Sequence, residues 1–274
     1  MTRYAYTMPV FLDPHTIRLR PRSDPRQKVI EFSIDIAPYP DGFTEGIDAW
    51  GNDVMWAWFS QTHEALEITT RFVVETDHEN PFDFITPSPD AEGLSPSYNE
   101  DEREALAPYL LSHQQESTVR ALADEAARAV DGAIVAFPGE LARLIHDRCE
   151  MVYRPVGGPL PAAETLLTGR GSCRDLTVLF MEACRSIGVA SQFVSGYVAQ
   201  RPVGEDPELH AWAGVYIPGG GWRAYDPSLG LAVSDGHVKL AAAARPAGAA
   251  PIDGAYRSGG AQSTLFSRIW LDVT

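Results

Sequence analysis

The stretch that decides the fold is GRGSCRDLTVLFMEACRSIGVASQFVSGYV, residues 169–198. Apolar side chains recur in it at the spacing of one helix face, namely at Leu176, Leu179, Phe180, Ala183, Cys184 and Ile187. Gly188 then stands where a helix C-cap is expected, because the left-handed conformation of a C-cap favours glycine. The pattern predicts an amphipathic helix whose first turn holds Cys173.

Cys173 is a credible nucleophile because of its place at the start of that helix. The unused N–H groups and the positive dipole end of a helix favour a thiolate. Taken alone, Cys173 fits a small core residue equally well, since free cysteines are usually buried and inert. Cys184 lies in the middle of the apolar stripe, and Cys149 lies within one turn of apolar residues in another predicted helix. We therefore expect Cys184 and Cys149 to pack in the core.

A nucleophilic cysteine needs a base, and the base needs a group that orients it. Residues 209–217, LHAWAGVYI, are strand-like, and the chain returns through WRAYDP at 222–227. A hairpin centred near Pro218 places His210 opposite Asp226, with both side chains on one face. Separately, His210 could simply pack beside Trp212, and Asp226 could be an ordinary turn residue. We expect the remaining histidines to lie at the surface, at positions 15, 63, 78, 113, 146 and 237.

Composition narrows the classes of protein to which the chain can belong. Its 274 residues are 45% hydrophobic and 22% charged, which is typical of a globular protein of one large unit or two packed parts. A net charge of -15 disfavours binding to nucleic acid or to an anionic membrane. Three cysteines without a CxxC pair disfavour a disulfide framework and a zinc knuckle, and no Asp-rich calcium loop is evident. We expect that no metal or other cofactor is required.

No targeting signal is recognisable in the sequence. No stretch approaches the roughly 18 to 20 consecutive apolar residues of a membrane span. The first ten residues lack the charged and then apolar pattern of a signal peptide. We therefore expect a soluble, cytoplasmic protein.

Hydrophobic periodicity changes along the chain. Alternating patterns predict strands near residues 30–36 and 66–74, with a turn at 48–53 before an aromatic strand through Trp56 and Trp58. Proline-rich residues 80–100 read as a linker, and helical patterns follow at 119–133 and 141–152. We predict an amino-terminal β-rich domain at residues 1–95 and a catalytic domain at 96–274. The carboxy-terminal run 263–273 is expected to add a closing strand.

Three blocks together resemble the bacterial transglutaminase-like family. They are GRGSCRDLTVLFMEACRSIGV, HAW at 210–212 and GWRAYDPSLG at 221–230. YTMPVFLDPHTIRLRPR at 6–22, with Gly51–Asn52, is similar to the amino-terminal region attached to that family. The resemblance implies an α+β fold, in which an antiparallel β domain precedes a papain-like catalytic domain of helices packed on an antiparallel sheet.

The family's site residues fall on three positions of this chain. The resemblance places the nucleophile at Cys173, the base at His210 and the orienting carboxylate at Asp226. Asp175 matches an acidic position shortly after the family's cysteine, and we expect it to act in the structure of the helix start. Arg174 departs from the glutamine that many relatives carry there.

Such a triad supports acyl transfer through a thioester. The favoured hypothesis is a cysteine-dependent hydrolase that acts on amide or peptide bonds of a peptide or protein substrate. Animal transglutaminases place a tryptophan upstream of the cysteine, whereas no tryptophan lies between Trp58 and Trp212 here. Two alternatives stay open: a transglutaminase that uses an amine acceptor, and a non-catalytic scaffold that binds peptides along the amino-terminal sheet beside Trp50, Trp56 and Trp58.

Overall fold

A computed structural model of the chain describes residues 1–85, 98–112, 116–154, 156–199 and 208–273. The strands are β1 Thr2–Leu12, β2 His15–Ile17, β3 Gln27–Ala37, β4 Gly42–Ile47, β5 Asp53–Trp58, β6 Thr62–Thr76, β7 Glu150–Met151, β8 Arg170–Gly171, β9 Ser191–Val198, β10 Leu209–Ile217, β11 Gly221–Asp226, β12 Leu231–Ala232, β13 His237–Ala243, β14 Ile252–Asp253, β15 Tyr256–Arg257 and β16 Ser263–Ser267. The helices are α1 Glu100–Leu110, α2 Ser117–Ala129, α3 Phe137–Arg148, α4 Ala162–Thr168 and α5 Cys173–Ser186, with a 3-10 turn at Pro246–Ala249.

Two antiparallel sheets form the amino-terminal part of the molecule. One has the strand order β15-β1-β6-β3, with β16 also paired to β1, and the other has the order β14-β2-β5-β4. Alternation buries one face of the strands around a shared core that includes Leu12, Ile17, Met55, Leu66 and Ile68. This core continues into the rest of the protein through Tyr197 and Leu240.

The second part is an antiparallel sheet in the order β12-β11-β10-β9-β13, packed against helices. Helices α2, α3 and α5 cover the sheet face that carries Ala211, Ala213 and Val215. Helix α5 is central, and its Leu176, Leu179 and Phe180 are fully buried. The fold is therefore the mixed α+β architecture that the sequence predicts, with an amino-terminal β region followed by helices on an antiparallel sheet.

The predicted helix after Cys173 is confirmed as α5. Ile187 caps it, and Gly188 follows with a φ of +80°, a left-handed conformation that suits glycine. The other two predicted helices are confirmed as α2 and α3. Two helices are not predicted by the periodicity. Helix α1 buries only Leu106 among its residues, and the seven residues of α4 are too few for a periodic pattern.

The predicted hairpin is confirmed as β10 and β11, but its predicted register is wrong. The pairing of Ile217 with Gly221 and of Ala213 with Tyr225 centres the turn on Gly219 instead of Pro218. Continuing this register puts Trp212, not His210, directly opposite Asp226. Because the shift is by two residues, His210 stays on the same face as Asp226, as its diagonal neighbour.

The carboxy-terminal residues return to the amino-terminal sheets. Strand β14 pairs with β2, whereas β15 and β16 pair with β1. A strand is therefore present within 263–273 as predicted, but it extends the amino-terminal sheet and does not close the catalytic one. The predicted linker lies partly, and the predicted domain boundary at residue 95 wholly, outside the described residues, so that division stays a prediction. Among the described residues, no helix is long and apolar enough to cross a membrane.

Candidate active site

Cys173 is the first residue of α5, and a buried carboxylate fixes the chain around it. Ser172 is the N-cap of the helix and Asp175 its third residue. Asp175 Oδ2 accepts hydrogen bonds from the Ser172 backbone N–H at 2.7 Å and from the Ser172 hydroxyl at 2.8 Å. Its Oδ1 accepts from the Leu160 N–H at 2.7 Å and pairs with the Arg154 guanidinium.

Asp175 is fully buried, yet its charge is well compensated. Burial alone opposes ionisation, but the hydrogen bonds from Leu160, Ser172 and Arg154 hold the pKa of Asp175 below its ordinary value. A buried carboxylate with these partners ties the segment before α5 to the start of the helix. The structure therefore places Asp175 in the framework that presents Cys173, in agreement with its predicted structural role.

His210 and Asp226 form a buried pair. His210 Nε2 lies 2.7 Å from Asp226 Oδ2. The other carboxylate oxygen, Oδ1, accepts hydrogen bonds from the Ser228 N–H at 2.9 Å and the Ser228 hydroxyl at 2.6 Å. Since Nε2 faces the carboxylate, Nδ1 is the ring nitrogen left for another partner. The structure thus brings together two of the three predicted site residues by a direct hydrogen bond.

Electrostatics link Cys173 to this pair. Burial would lower the pKa of His210, but hydrogen bonds and charge attraction from Asp226 and Cys173 outweigh it and raise that pKa from 6.5 to about 9. This shift favours the doubly protonated form of the ring. For Asp226, burial is opposed by hydrogen bonds from His210, His237 and Ser228, and the pKa of its carboxyl falls well below the ordinary value.

The histidine at position 237 is a second partner of the carboxylate. His237 Nε2 lies 3.1 Å from Asp226 Oδ2, and its side chain is only 6% exposed. The surface position predicted for His237 is wrong, as it is for His15, which is also buried. His113 lies outside the described residues. No local sequence pattern marks His237. It reaches the site because β13 pairs with β9, which lies between β13 and β10 in the sheet.

One group of side chains in the described ranges could jointly hold a metal ion, and it consists of His210, His237 and Asp226. Their ligand atoms lie within 4.8 Å of one another. Ligands of a tetrahedral zinc ion stand roughly 3.3 Å apart, as bonds of about 2.0–2.1 Å require. The contacts of 2.7 and 3.1 Å are shorter, so the group is built as a hydrogen-bonded cluster.

The other two cysteines are core residues, as predicted. Cys149 and Cys184 are both buried, whereas Cys173 is partly exposed. Burial raises the pKa of the thiol at each of the two buried positions. Since the thiolate is the nucleophile and metal ligand, Cys149 and Cys184 are chemically unsuited to catalysis.

The tryptophans of the alternative peptide groove do not share one environment. Trp50 packs against the helical core and meets Tyr109 edge-on at 5.8 Å. Trp58 is 44% exposed, and Trp56 is partly buried on the same strand, β5. Trp50 therefore packs between the two parts of the molecule. Only Trp56 and Trp58 remain available to line a peptide-binding groove at the surface.

Comparison with known proteins gives consistent matches over most of the chain. An uncharacterized protein of Mycobacterium leprae is 26% identical over 268 residues, which cover 95% of this chain and 92% of the relative. An uncharacterized Mycobacterium tuberculosis protein is 26% identical over 211 residues, which cover 73% of this chain and 66% of that relative. A solved Cytophaga hutchinsonii protein, named a "Putative Cysteine Protease", has 19% identity and a TM-score of 0.66, with 99% of this chain and 93% of that chain covered. That likeness concerns the fold alone.

Two family descriptions divide the chain in the order that the sequence resemblance implies. Residues 1–75 match the bacterial transglutaminase-like N-terminal region. Residues 120–227, which contain Cys173, His210 and Asp226, match the transglutaminase-like superfamily core. The chain therefore belongs to the transglutaminase-like superfamily and carries the amino-terminal region of its bacterial members.

Proposed function

We propose that the protein is a cysteine-dependent hydrolase that cleaves amide or peptide bonds, with Cys173 as nucleophile, His210 as acid and base, and Asp226 as the group that orients His210. The observation that carries the proposal is the buried His210–Asp226 hydrogen bond, together with the pKa of about 9 that Asp226 and Cys173 impose on His210. A cationic imidazole beside a thiol at a helix start is the environment that favours a thiolate.

The first half-reaction forms a thioester. The Cys173 sulfur attacks the carbonyl carbon of the substrate, and the carbonyl oxygen takes the negative charge. As the first residue of α5, Cys173 has a backbone N–H that the helix leaves unused, which can donate to this oxyanion. His210 then gives its proton to the leaving nitrogen, the carbon–nitrogen bond breaks, and the amine departs.

The second half-reaction restores the enzyme. The neutral His210 accepts a proton from water, and the resulting hydroxide attacks the thioester carbon. The carbon–sulfur bond breaks, the acid product leaves, and the Cys173 thiolate and His210 imidazolium pair forms again. Asp226 keeps Nε2 of His210 protonated throughout, so that Nδ1 does the proton transfer on both occasions.

An amine in place of water would make the same thioester chemistry a transglutaminase reaction. The test incubates the protein with a peptide library, with and without an added primary amine, and analyses the products by mass spectrometry. We expect chain cleavage or ammonia release that does not require the added amine, and no product with the Cys173→Ala variant. Cys149→Ala is the matched control and retains activity.

Three other outcomes are informative. Incorporation of the amine into the peptides would identify the transferase instead of the hydrolase. Equal turnover by wild type and Cys173→Ala would contradict the proposed nucleophile. No reaction with any peptide, together with tight binding of some of them, would favour the non-catalytic scaffold.

A further inference from the structure

His210 and His237 approach the same oxygen of one carboxylate. Both Nε2 atoms face Asp226 Oδ2, at 2.7 Å for His210 and 3.1 Å for His237. Ser228 donates to the opposite oxygen, Oδ1. Because Oδ2 has two donors and Oδ1 has its own, the carboxylate is held from three directions and cannot rotate without losing a hydrogen bond.

The ring of His237 is itself fixed by packing. It meets the Trp212 indole edge-on at 5.0 Å and lies 6.3 Å from the His210 ring. Gly196 makes room for this arrangement, since a Cβ there would stand 2.5 Å from the Trp212 ring. These ring contacts accompany the orientation in which Nε2 of His237 points at Asp226 Oδ2.

Strand β13 delivers His237 to this position through contacts on both of its sides. His237 pairs with Val198 of β9, which places it in the same sheet as His210. Two residues on, the Lys239 N–H donates to Gln27 Oε1 at 2.7 Å, and Gln27 Nε2 donates to the Lys239 carbonyl at 2.8 Å. The position of His237 is thus set by the amino-terminal sheets as well as by the catalytic sheet.

We propose that His237 is a positioning residue, which holds the Asp226 carboxylate in the orientation that steers His210 toward Cys173. The inference rests on the proposed function and adds a fourth side chain to the machinery of that site. Within the described part of the chain, the ionisable groups grouped with His237 are Asp226 and His210, and Cys173 interacts with His210. Without His237, Oδ2 loses one of its two donors, and the carboxylate and the imidazole gain freedom together.

The test measures alkylation of Cys173 by iodoacetamide in wild type, His237→Ala and His237→Gln, followed by mass spectrometry at that residue. His63→Ala, in β6 of the amino-terminal sheets, is the control. At about pH 6.5 only an activated thiol reacts, whereas at about pH 10 any accessible thiol is ionised. Thermal unfolding of each variant is recorded in parallel.

We expect His237→Ala to slow labelling at the lower pH by up to about 10²-fold, the scale at which a small misplacement of catalytic groups acts. The rates should converge at the higher pH. His237→Gln retains an N–H donor and should recover most of the loss. A purely structural defect would change the labelling rate at both pH values, so convergence at the higher pH is the sign of a positioning role. His63→Ala should behave as wild type.

The result separates this inference from the proposed function. Selective labelling of Cys173 in wild type with an equal or faster rate in His237→Ala would overturn the role of His237 alone. A loss in His237→Gln as large as that in His237→Ala would overturn it as well. No activated thiol in wild type would contradict the proposed function instead. If His237→Ala does not fold, His237→Phe, which keeps a ring but has no N–H donor, takes its place and should show the same loss at the lower pH.

Discussion

His210 is the residue on which the chemistry of the site depends. An isolated histidine at neutral pH is mostly uncharged, and burial in this sheet would discharge it further. The Asp226 carboxylate, together with Cys173, reverses that tendency and raises the pKa of His210 to about 9, which favours the imidazolium. In the proposed mechanism this cation favours the thiolate form of Cys173.

Replacing the Asp226 carboxylate tests whether it raises the pKa of His210. Asp226→Asn keeps the shape of the side chain but removes the charge and permits the wrong histidine tautomer, so we expect turnover to fall by up to about 10⁴-fold. The pKa of His210 should fall from about 9, because its largest stabilising partner is gone. NMR titration of His210, assigned with His210→Gln, measures it. Asp235→Asn is the control, and an unchanged titration in Asp226→Asn would contradict the pairing.

The same pair predicts how stability depends on pH. The pKa of His210 is raised on folding, so its contribution is fully present below pH 6.5 and is lost as the pH rises toward about 9. The pKa of Asp226 is lowered, so its contribution is present above pH 3.8 and is lost as the pH falls through the lowered value. The difference in unfolding free energy between wild type and His210→Gln should therefore be greatest between about pH 3.8 and pH 6.5, where both contributions are present. A difference that grows from pH 6.5 to 9 would contradict the account.

At the level of elements, the sequence is sufficient to predict that α5 and the hairpin form, but it does not predict the correct register of the hairpin. Local periodicity and Gly188, which follows the Ile187 cap, define α5 without reference to the rest of the chain. The register depends on which glycine-rich turn the chain adopts, and the predicted centre was displaced by one residue. His210 nevertheless stayed on the face of Asp226, because side chains in a strand alternate with a period of two.

The start of α5 provides the second stability prediction. Asp175→Ala should lower the free energy of unfolding by about 3–5 kcal/mol, because it breaks a buried ion pair with Arg154 and leaves the Ser172 and Leu160 N–H groups without their acceptor. Denaturant unfolding measures it. Asp147→Ala, which removes a half-exposed partner of Arg143, should cost about 0.2–1 kcal/mol. Equal losses at the two sites would refute this role of Asp175.

At the level of the whole molecule, two buried amides join the amino-terminal sheets to the strand that carries His237. Asn52, just before β5, accepts from the Ala242 N–H at 2.8 Å and donates to the Ala242 carbonyl at 3.0 Å. Gln27 makes the equivalent pair with Lys239. Sequence patterns could not have found these contacts, nor His237, since each joins residues that only the tertiary fold brings together.

Removing one of these amides should weaken the whole protein. Asn52→Ala leaves a buried N–H and a buried carbonyl of Ala242 without partners, so we expect a loss of at least about 2 kcal/mol in unfolding free energy. Asn80→Ala, at an exposed site, is the control. If the two variants unfold at the same denaturant concentration, the amide pairing contributes nothing to stability.

The most direct test of the central claim compares the reactivity of the three cysteines in one sample of the wild-type protein. Iodoacetamide is added at about pH 6.5, where an ordinary thiol reacts slowly, and mass spectrometry follows each cysteine with time. The account predicts rapid modification of Cys173, little of Cys149 or Cys184, and loss of this selectivity in His210→Gln. Equal, slow modification of all three cysteines, or a rate at Cys173 that His210→Gln does not change, would contradict it.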